Sequence, residues 1–312
     1  MGAELHEDPL WPRAGNWPLI EELPVDARAD LGILGVPAHL TSLSATNAHT
    51  TPAAVREALR RYSPALMPDR SAHSRHEPRE LGLGGYIDFG DVPEPDSAQG
   101  EARTIARVAE VLDRASVAVV MGGDNSITVA SALGAWGEQL GSAGLITLDA
   151  HYDLRNGISN GSPVRRLIEA GLDPQRIVQI GIADFANSVH YANRAAELGI
   201  TVVHLDELRR RPLHEVMAEA LELAGAAGGP IHLDIDVDVC DRAVAPGCPA
   251  SVPGGLQAWE LRALVRRAAQ DARVRSVDIA EIDASSDSAD QRTVRLAALC
   301  ILEVAAGITQ RT

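Results

Sequence analysis

Three short stretches concentrate residues able to bind metal or move protons. They are Gly122-Gly123-Asp124-Asn125-Ser126, Asp149-Ala150-His151-Tyr152-Asp153-Leu154-Arg155, and the run holding Asp234, Asp236, Asp238 and Asp241. In extended chain, residues two apart face the same side, so Asp149 and His151 can converge on one point, and so can Asp236 and Asp238. Asp153 joins them if the chain turns. Carboxylates with one imidazole suit Mn2+, or more loosely Mg2+ or Ca2+, better than a thiolate-seeking metal. A single Asp after a strand is more often a helix cap or a turn former. Two separated pairs are harder to dismiss, because alternating aspartates in an apolar strand cost several kcal/mol per unpaired buried charge and call for a neutralising partner.

Each stretch follows or interrupts a β-branched run. Such runs span 30–36, 116–121, 143–148, 176–180, 200–205, 231–237 and 274–279. Most are apolar throughout, as strands covered on both faces are. Helical spacing separates them: Val55, Leu59 and Tyr62 after Thr51-Pro52, then 126–140, 188–198, 213–224, 256–269 and 293–306. This alternation predicts a single three-layer α/β domain over 1–312 with a mostly parallel sheet. Residues 1–28 read as an N-terminal extension and 67–95, rich in Pro, Gly, Arg and His, as an exposed excursion. In such sheets ligands bind beyond the carboxyl ends of the strands, where the three stretches fall.

Composition narrows the function. The formal net charge of −15 argues against nucleic-acid or anionic-membrane partners, which need a positive face. Cys240, Cys248 and Cys300 form no paired motif, so a reducing cytoplasm is the default. The first residues lack the apolar core of a signal peptide. No apolar run approaches the roughly 18 residues that span a bilayer.

The Gly-Gly-Asp-x-Ser turn, the Asp-Ala-His-x-Asp motif and the Asp-x-Asp-x-x-Asp run before Ala245-Pro246-Gly247 resemble the ureohydrolase superfamily of arginases, agmatinases and formimidoylglutamases. Order and separation match from about Gly32 to Gly307. The resemblance implies metal-dependent hydrolysis of a linear amidine in a homo-oligomer, a trimer or hexamer. It also implies two Mn2+ bridged by Asp149 and Asp236, one ion also taking Asp153 and Asn125, the other His151 and Asp238. Counting back from Ala245 sets that register and leaves Asp234 where the family usually has Ser. Asp241 then holds the loop.

Two positions depart from the pattern. Asn125 stands where most relatives have a metal-binding His, which implies a weaker site or a harder ion such as Ca2+ or Mg2+. Asn160, in the loop before Ser162-Pro163, stands where arginases and agmatinases carry a shuttle His, and Asn does not titrate near neutral pH. Catalytic roles then fall to Glu281 in Asp278-Ile279-Ala280-Glu281, to Asp153, or to His49. Asn160, Ser162, Asp184 and Asn187 are candidates to line the substrate pocket. Among relatives, formimidoylglutamases resemble this chain in lacking the shuttle His, in the Leu154-Arg155 ending and in a loop like Gly247-Cys248-Pro249-Ala250. Their substrate carries carboxylates, which Arg155, Arg165, Arg166 or Arg242 could receive bidentately. The alternatives are an agmatinase-type guanidino hydrolase releasing urea, and a relative that keeps the fold without catalysis.

Overall fold

The computed structural model describes residues 8–66, 79–81 and 85–311. Its strands in chain order are β1 (Ala29–Val36), β2 (Ala65–Leu66), β3 (Arg79–Glu80), β4 (Tyr86–Asp91), β5 (Ala115–Gly122), β6 (Gly144–Leu148), β7 (Ile177–Ile182), β8 (Thr201–His204), β9 (Ile231–Asp236) and β10 (Val274–Ala280). Its helices are α1 (Thr51–Leu59), α2 (Ala98–Arg114), α3 (Ile127–Trp136), α4 (Pro163–Ala170), α5 (Val189–Leu198), α6 (Leu205–Leu208), α7 (Leu213–Ala224), α8 (Ala258–Ala269) and α9 (Arg292–Ile308).

Eight strands form one sheet in the order β4-β1-β5-β10-β9-β6-β7-β8, with every pairing parallel, while β2 and β3 make a small antiparallel pair. The alternation of side chains divides each strand between two cores. Val117, Val119 and Met121 of β5 pack with α1, α7, α8 and α9, whereas Ala118 and Val120 pack with α2 on the opposite face. Leu145 of β6 and Ile177 of β7 join α3, α4 and α5 in a third cluster on that second side. The result is a three-layer αβα arrangement. No helix among the described residues is long and apolar enough to cross a membrane.

The seven strands expected from the sequence all form, with ends shifted by one or two residues. The expectation of an exposed excursion over 67–95 fails for Tyr86–Asp91. Those residues are the edge strand β4, held by β1 on one side and by the Leu19 to Asp88 bridge, with Phe89 buried. Residues 67–78 and 82–84 of that segment lie outside the described residues, as do 1–7 of the N-terminal extension. Helices α2, α4 and the short α6 were not foreseen.

Candidate metal centre

Four adjacent strands in the middle of the sheet, β5, β10, β9 and β6, deliver the site residues from their carboxyl ends. The turn after β5 is built by Gly123. A Cβ there would fall 1.9 Å from the Ala38 carbonyl oxygen, so only glycine lets the β1 and β5 ends close together. That approach is fastened by Asp124 N–H donating to Ala38 O at 2.9 Å and by Glu281 N–H donating to Gly123 O at 2.9 Å.

Asp149, His151 and Asp238 form the tight group, with a ligand atom from each within 4.8 Å of the others. His151 Nδ1 lies 2.6 Å from Asp238 Oδ2 and 3.6 Å from Asp149 Oδ1. The backbone holds the acids in place: His151 N–H donates to Asp149 Oδ1 at 2.6 Å, Ala150 N–H to Asp238 Oδ1 at 3.0 Å, and Asp238 N–H to Asp236 Oδ1 at 2.8 Å. Asp153 and Asp236 border the same cavity, beside but outside the tight group.

The charges on these residues are out of balance. Burial first, and then the neighbouring Asp238, push the Asp149 carboxyl up to about 7. Burial and the surrounding acids also push Asp153 and Asp236 well above the usual carboxylate range. For His151, burial disfavours the charged ring, but Asp238 and Asp149 outweigh it and push it up to about 12. For Asp238, burial acts upward and the His151 partner brings the carboxyl below its ordinary value. Asp149 is fully buried and its Oδ2 makes no hydrogen bond. A buried carboxylate oxygen with no donor, amid like charges, fits a divalent cation held by oxygen and imidazole ligands.

Asn125 sits at the expected place, yet its carboxamide presents nitrogen to the acids. Its Nδ2 donates to Asp153 Oδ2 at 2.9 Å, and its Oδ1 accepts from Thr128 Oγ1 at 3.0 Å. A ligand role for Asn125 would require the amide to turn over. Glu281 is buried, and its Oε1 accepts from Asn125 N–H at 2.8 Å and Asn160 Nδ2 at 2.7 Å. Burial pushes this carboxyl up to about 8, against those two donors. Asn160 also accepts from Leu43 N–H at 3.0 Å, tying the 41–43 loop to the site.

The cavity above the group has a volume of about 440 Å³ and is walled by Leu43, Tyr152, Arg155, Asn160, Phe185 and Asn187 among others. Asn187 is a clamp: its Nδ2 donates to Ala150 O at 2.8 Å and its Oδ1 accepts from Tyr152 N–H at 3.1 Å. Asp153, Phe185 and Glu281 all have positive φ, at 51°, 65° and 62°, so strained backbone gathers around this cavity.

Three expected site residues are not brought here. Ser162 is buried in its own turn, donating to Ser159 O at 2.8 Å and accepting from Ser159 N–H at 3.0 Å. Asp184 is exposed and His49 stands against the His39 ring at 4.5 Å, and neither lines the cavity. Asp241 holds its loop as expected, accepting from Ala243 N–H at 2.7 Å and Gly254 N–H at 2.7 Å. Of the four candidate arginines, Arg165 is taken by Glu169 and the Arg155 and Gly157 carbonyls, Arg166 by Glu101, and Arg242 by the Cys248 and Pro249 carbonyls. Only Arg155 lines the cavity, and its guanidinium has no partner among the described residues. Phe185, fully exposed at the rim, was missed from sequence. An isolated Phe in a loop carries no signal of where it points.

Known proteins match the chain in sequence and in fold. The chain is 33% identical over 285 residues to a formimidoylglutamase of Halalkalibacterium halodurans, covering 88% of this chain and 86% of that protein. It is also 33% identical over 271 residues to a guanidinopropionase of Pseudomonas aeruginosa, covering 82% of this chain and 80% of that protein. The crystal structure of formimidoylglutamase from Bacillus subtilis superposes with a TM-score of 0.87 at 27% identity, covering 99% of this chain and 96% of that one. The arginase family profile matches residues 29–307, the span that runs from β1 to the end of α9 and carries every acid of the cluster. A parallel sheet whose central strands end in an Asp-His-Asp group, matched in sequence over nearly its whole length, thus places this chain in the arginase family.

Proposed function

We propose that this protein hydrolyses formimidoylglutamate to glutamate and formamide. The observation that carries this reading is Arg155, an uncommitted guanidinium on the wall of a cavity whose floor is acidic. Such a cavity suits a substrate with a cationic amidine at one end and carboxylates at the other, since guanidinium receives carboxylate bidentately. Agmatine, which ends in an ammonium, would face Arg155 with like charge.

Asp149, His151 and Asp238 would hold one Mn2+, and Asp149 with Asp153 and Asp236 a second. When bound, such ions supply Lewis acidity and make water a nucleophile at neutral pH. The chain's own groups do the rest. Glu281 has Oε1 fixed by two donors, and its Oε2, which makes no hydrogen bond among the described residues, is open to the cationic amidinium. Asn125 keeps the Asp153 carboxylate in place through its Nδ2. Water adds to the formimino carbon and the bond to the glutamate nitrogen breaks. Starting from the cationic amidinium, the water gives up both of its protons as its oxygen becomes the formamide carbonyl, and the leaving nitrogen takes both to depart as ammonium, so the sum needs no further proton donor.

A second reading is hydrolysis of a carboxylate-bearing guanidino acid with release of urea. It keeps the role of Arg155, and the guanidinopropionase relative favours it. Assays with added Mn2+ on formimidoylglutamate, guanidinopropionate, guanidinobutyrate, arginine and agmatine separate the two by product. Formamide from formimidoylglutamate is expected. Urea from a guanidino acid would install the second reading, and no product from any substrate would overturn both.

A further inference from the structure

Glu281 and Arg155 meet the two ends of the substrate in the proposed function, and one short turn touches both. It spans 159–162, and its two middle residues, Asn160 and Gly161, line the cavity. The flanking serines are buried and brace it. Ser159 N–H donates to Ser162 Oγ at 3.0 Å, the Ser162 hydroxyl donates to Ser159 O at 2.8 Å, and Gly161 N–H donates to Ser159 Oγ at 3.3 Å. With these hydrogen bonds closed inside it, the turn holds its shape without help from a ligand.

Asn160 sets the Glu281 end. Leu43 N–H donates to Asn160 Oδ1 at 3.0 Å, and because a backbone N–H only donates, the carboxamide must turn its nitrogen to Glu281, where Nδ2 donates to Oε1 at 2.7 Å. Gly161 sets the Arg155 end. Its carbonyl accepts from Arg155 N–H at 3.0 Å, and Arg165 Nε donates to Arg155 O at 2.6 Å, so the backbone from which the Arg155 stem starts is fixed on both sides. A Cβ built on Gly161 would fall 2.7 Å from Arg155 Cδ, 3.1 Å from Arg155 Nε and 3.3 Å from Leu43 Cδ1. The stem therefore lies across the bare Gly161 backbone with Leu43 beside it, and any side chain at 161 displaces the guanidinium.

We infer that the 159–162 turn is a gauge for substrate length, with Gly161 the positioning residue that seats Arg155 at one separation from Glu281, resting on the roles proposed above for both. Asn160 and Gly161 are joined by a single planar peptide, so that separation is set by one rigid unit and not by two independent loops. A formimino dicarboxylate of glutamate length then reaches both groups at once. In a shorter homologue a carboxylate held more than about 1 Å out of place loses the bidentate fork.

Kinetics of the full-length protein with Mn2+ on formimidoylglutamate and on formimidoylaspartate, one methylene shorter, test the gauge. The parent should prefer formimidoylglutamate. The Gly161 backbone lies outside the positive-φ region, and the atoms a Cβ would crowd belong to the exposed Arg155 and Leu43 side chains, so Gly161→Ala should keep the parent's thermal midpoint. It should raise KM for formimidoylglutamate by about 10-fold with little change in kcat, and shrink the preference over the shorter substrate. In an Arg155→Ala background the same change should have no further effect on KM, because the crowded side chain is gone. Unchanged KM and preference in Gly161→Ala, or an equal rise with and without Arg155, would overturn the gauge while leaving the proposed function standing. No turnover of either substrate by the parent, or an Arg155→Ala variant with the parent's KM, would instead sink the proposed function and the gauge with it. Should Gly161→Ala fail to fold, Ser162→Ala, which removes the brace and adds no atom, takes its place: the same loss of preference is expected, and full preference overturns the gauge.

Discussion

His151 Nδ1 and Asp238 Oδ2 stand 2.6 Å apart, an imidazole and a carboxylate brought together from beyond the ends of two paired strands, β6 and β9. Asp238 is buried and accepts from Ala150 N–H as well, so the pair fixes both residues before any metal arrives. Removing either partner takes away a ligand and the group that orients the other. His151→Ala and Asp238→Asn should each lower Mn2+ affinity by about 100-fold, at the upper end of what outer partners alone contribute. Isothermal titration of the chelated proteins measures it. Unchanged Mn2+ binding in both variants would remove this group as the metal centre.

Arg155 is the test of the substrate's acidic end. A charge-assisted hydrogen bond contributes about 1.5–3 kcal/mol, so Arg155→Ala should raise KM for formimidoylglutamate by roughly 10- to 100-fold with little change in kcat. Arg155→Lys should restore part of this, because an ammonium keeps the charge and loses the planar fork. Equal loss on a substrate without carboxylates would show that Arg155 acts on the fold instead.

The strands and the acid clusters were legible because both obey short-range rules. An apolar run buried on both faces looks the same wherever it occurs, and Asp149 with His151, or Asp236 with Asp238, carries its convergence in a spacing of two. Strand β4 hid because Tyr-Ile-Asp-Phe-Gly-Asp is an edge sequence broken by acids and glycine, with Asp88 paired to Arg56 at 2.7 Å from a different element. Helix α2 was legible in principle, since Thr104, Val108 and Val111 recur at helical spacing behind Ser97, whose hydroxyl caps the first turn by accepting from Gly100 N–H. Ser162 and Asn160 lie two residues apart in one loop, but which bonds its neighbour and which reaches Glu281 depends on the turn around Ser159. The unpaired state of Arg155 shows only once Glu101, Glu169 and the Cys248 carbonyl have claimed the other arginines.

Gly123 makes the geometry of the β5 turn testable. An alanine there puts its Cβ against the Ala38 carbonyl, which β1 cannot move without opening the Asp124 to Ala38 hydrogen bond. Gly123→Ala should cost about 1–3 kcal/mol of stability, as overpacking does. Since Glu281 N–H is held by Gly123 O, kcat should fall by more than the loss of folded protein explains. Urea denaturation alongside turnover per folded molecule reads both, and a variant as stable and as active as the parent would show that the contact relaxes freely.

Metal removal should turn pH into a stability variable. Unfolded, Asp149 and Glu281 titrate near 4, and in the metal-free fold burial pushes them up to about 7 and about 8. A carboxyl whose folded value is raised contributes stability that is complete below the unfolded value and is lost as pH rises through the folded one. Asp153 and Asp236 shift the same way. Asp238 has the opposite sign, but its contribution is already complete above about pH 5 and so does not alter the slope at higher pH. The chelated protein should therefore melt more than about 5 °C lower at pH 8 than at pH 5. A divalent cation supplies the missing positive charge to the ionised acids, so saturating Mn2+ should flatten or reverse that slope. Calorimetry across pH 5 to 8, with and without Mn2+, measures both curves, and parallel curves would mean the buried acids are neutralised by something other than metal.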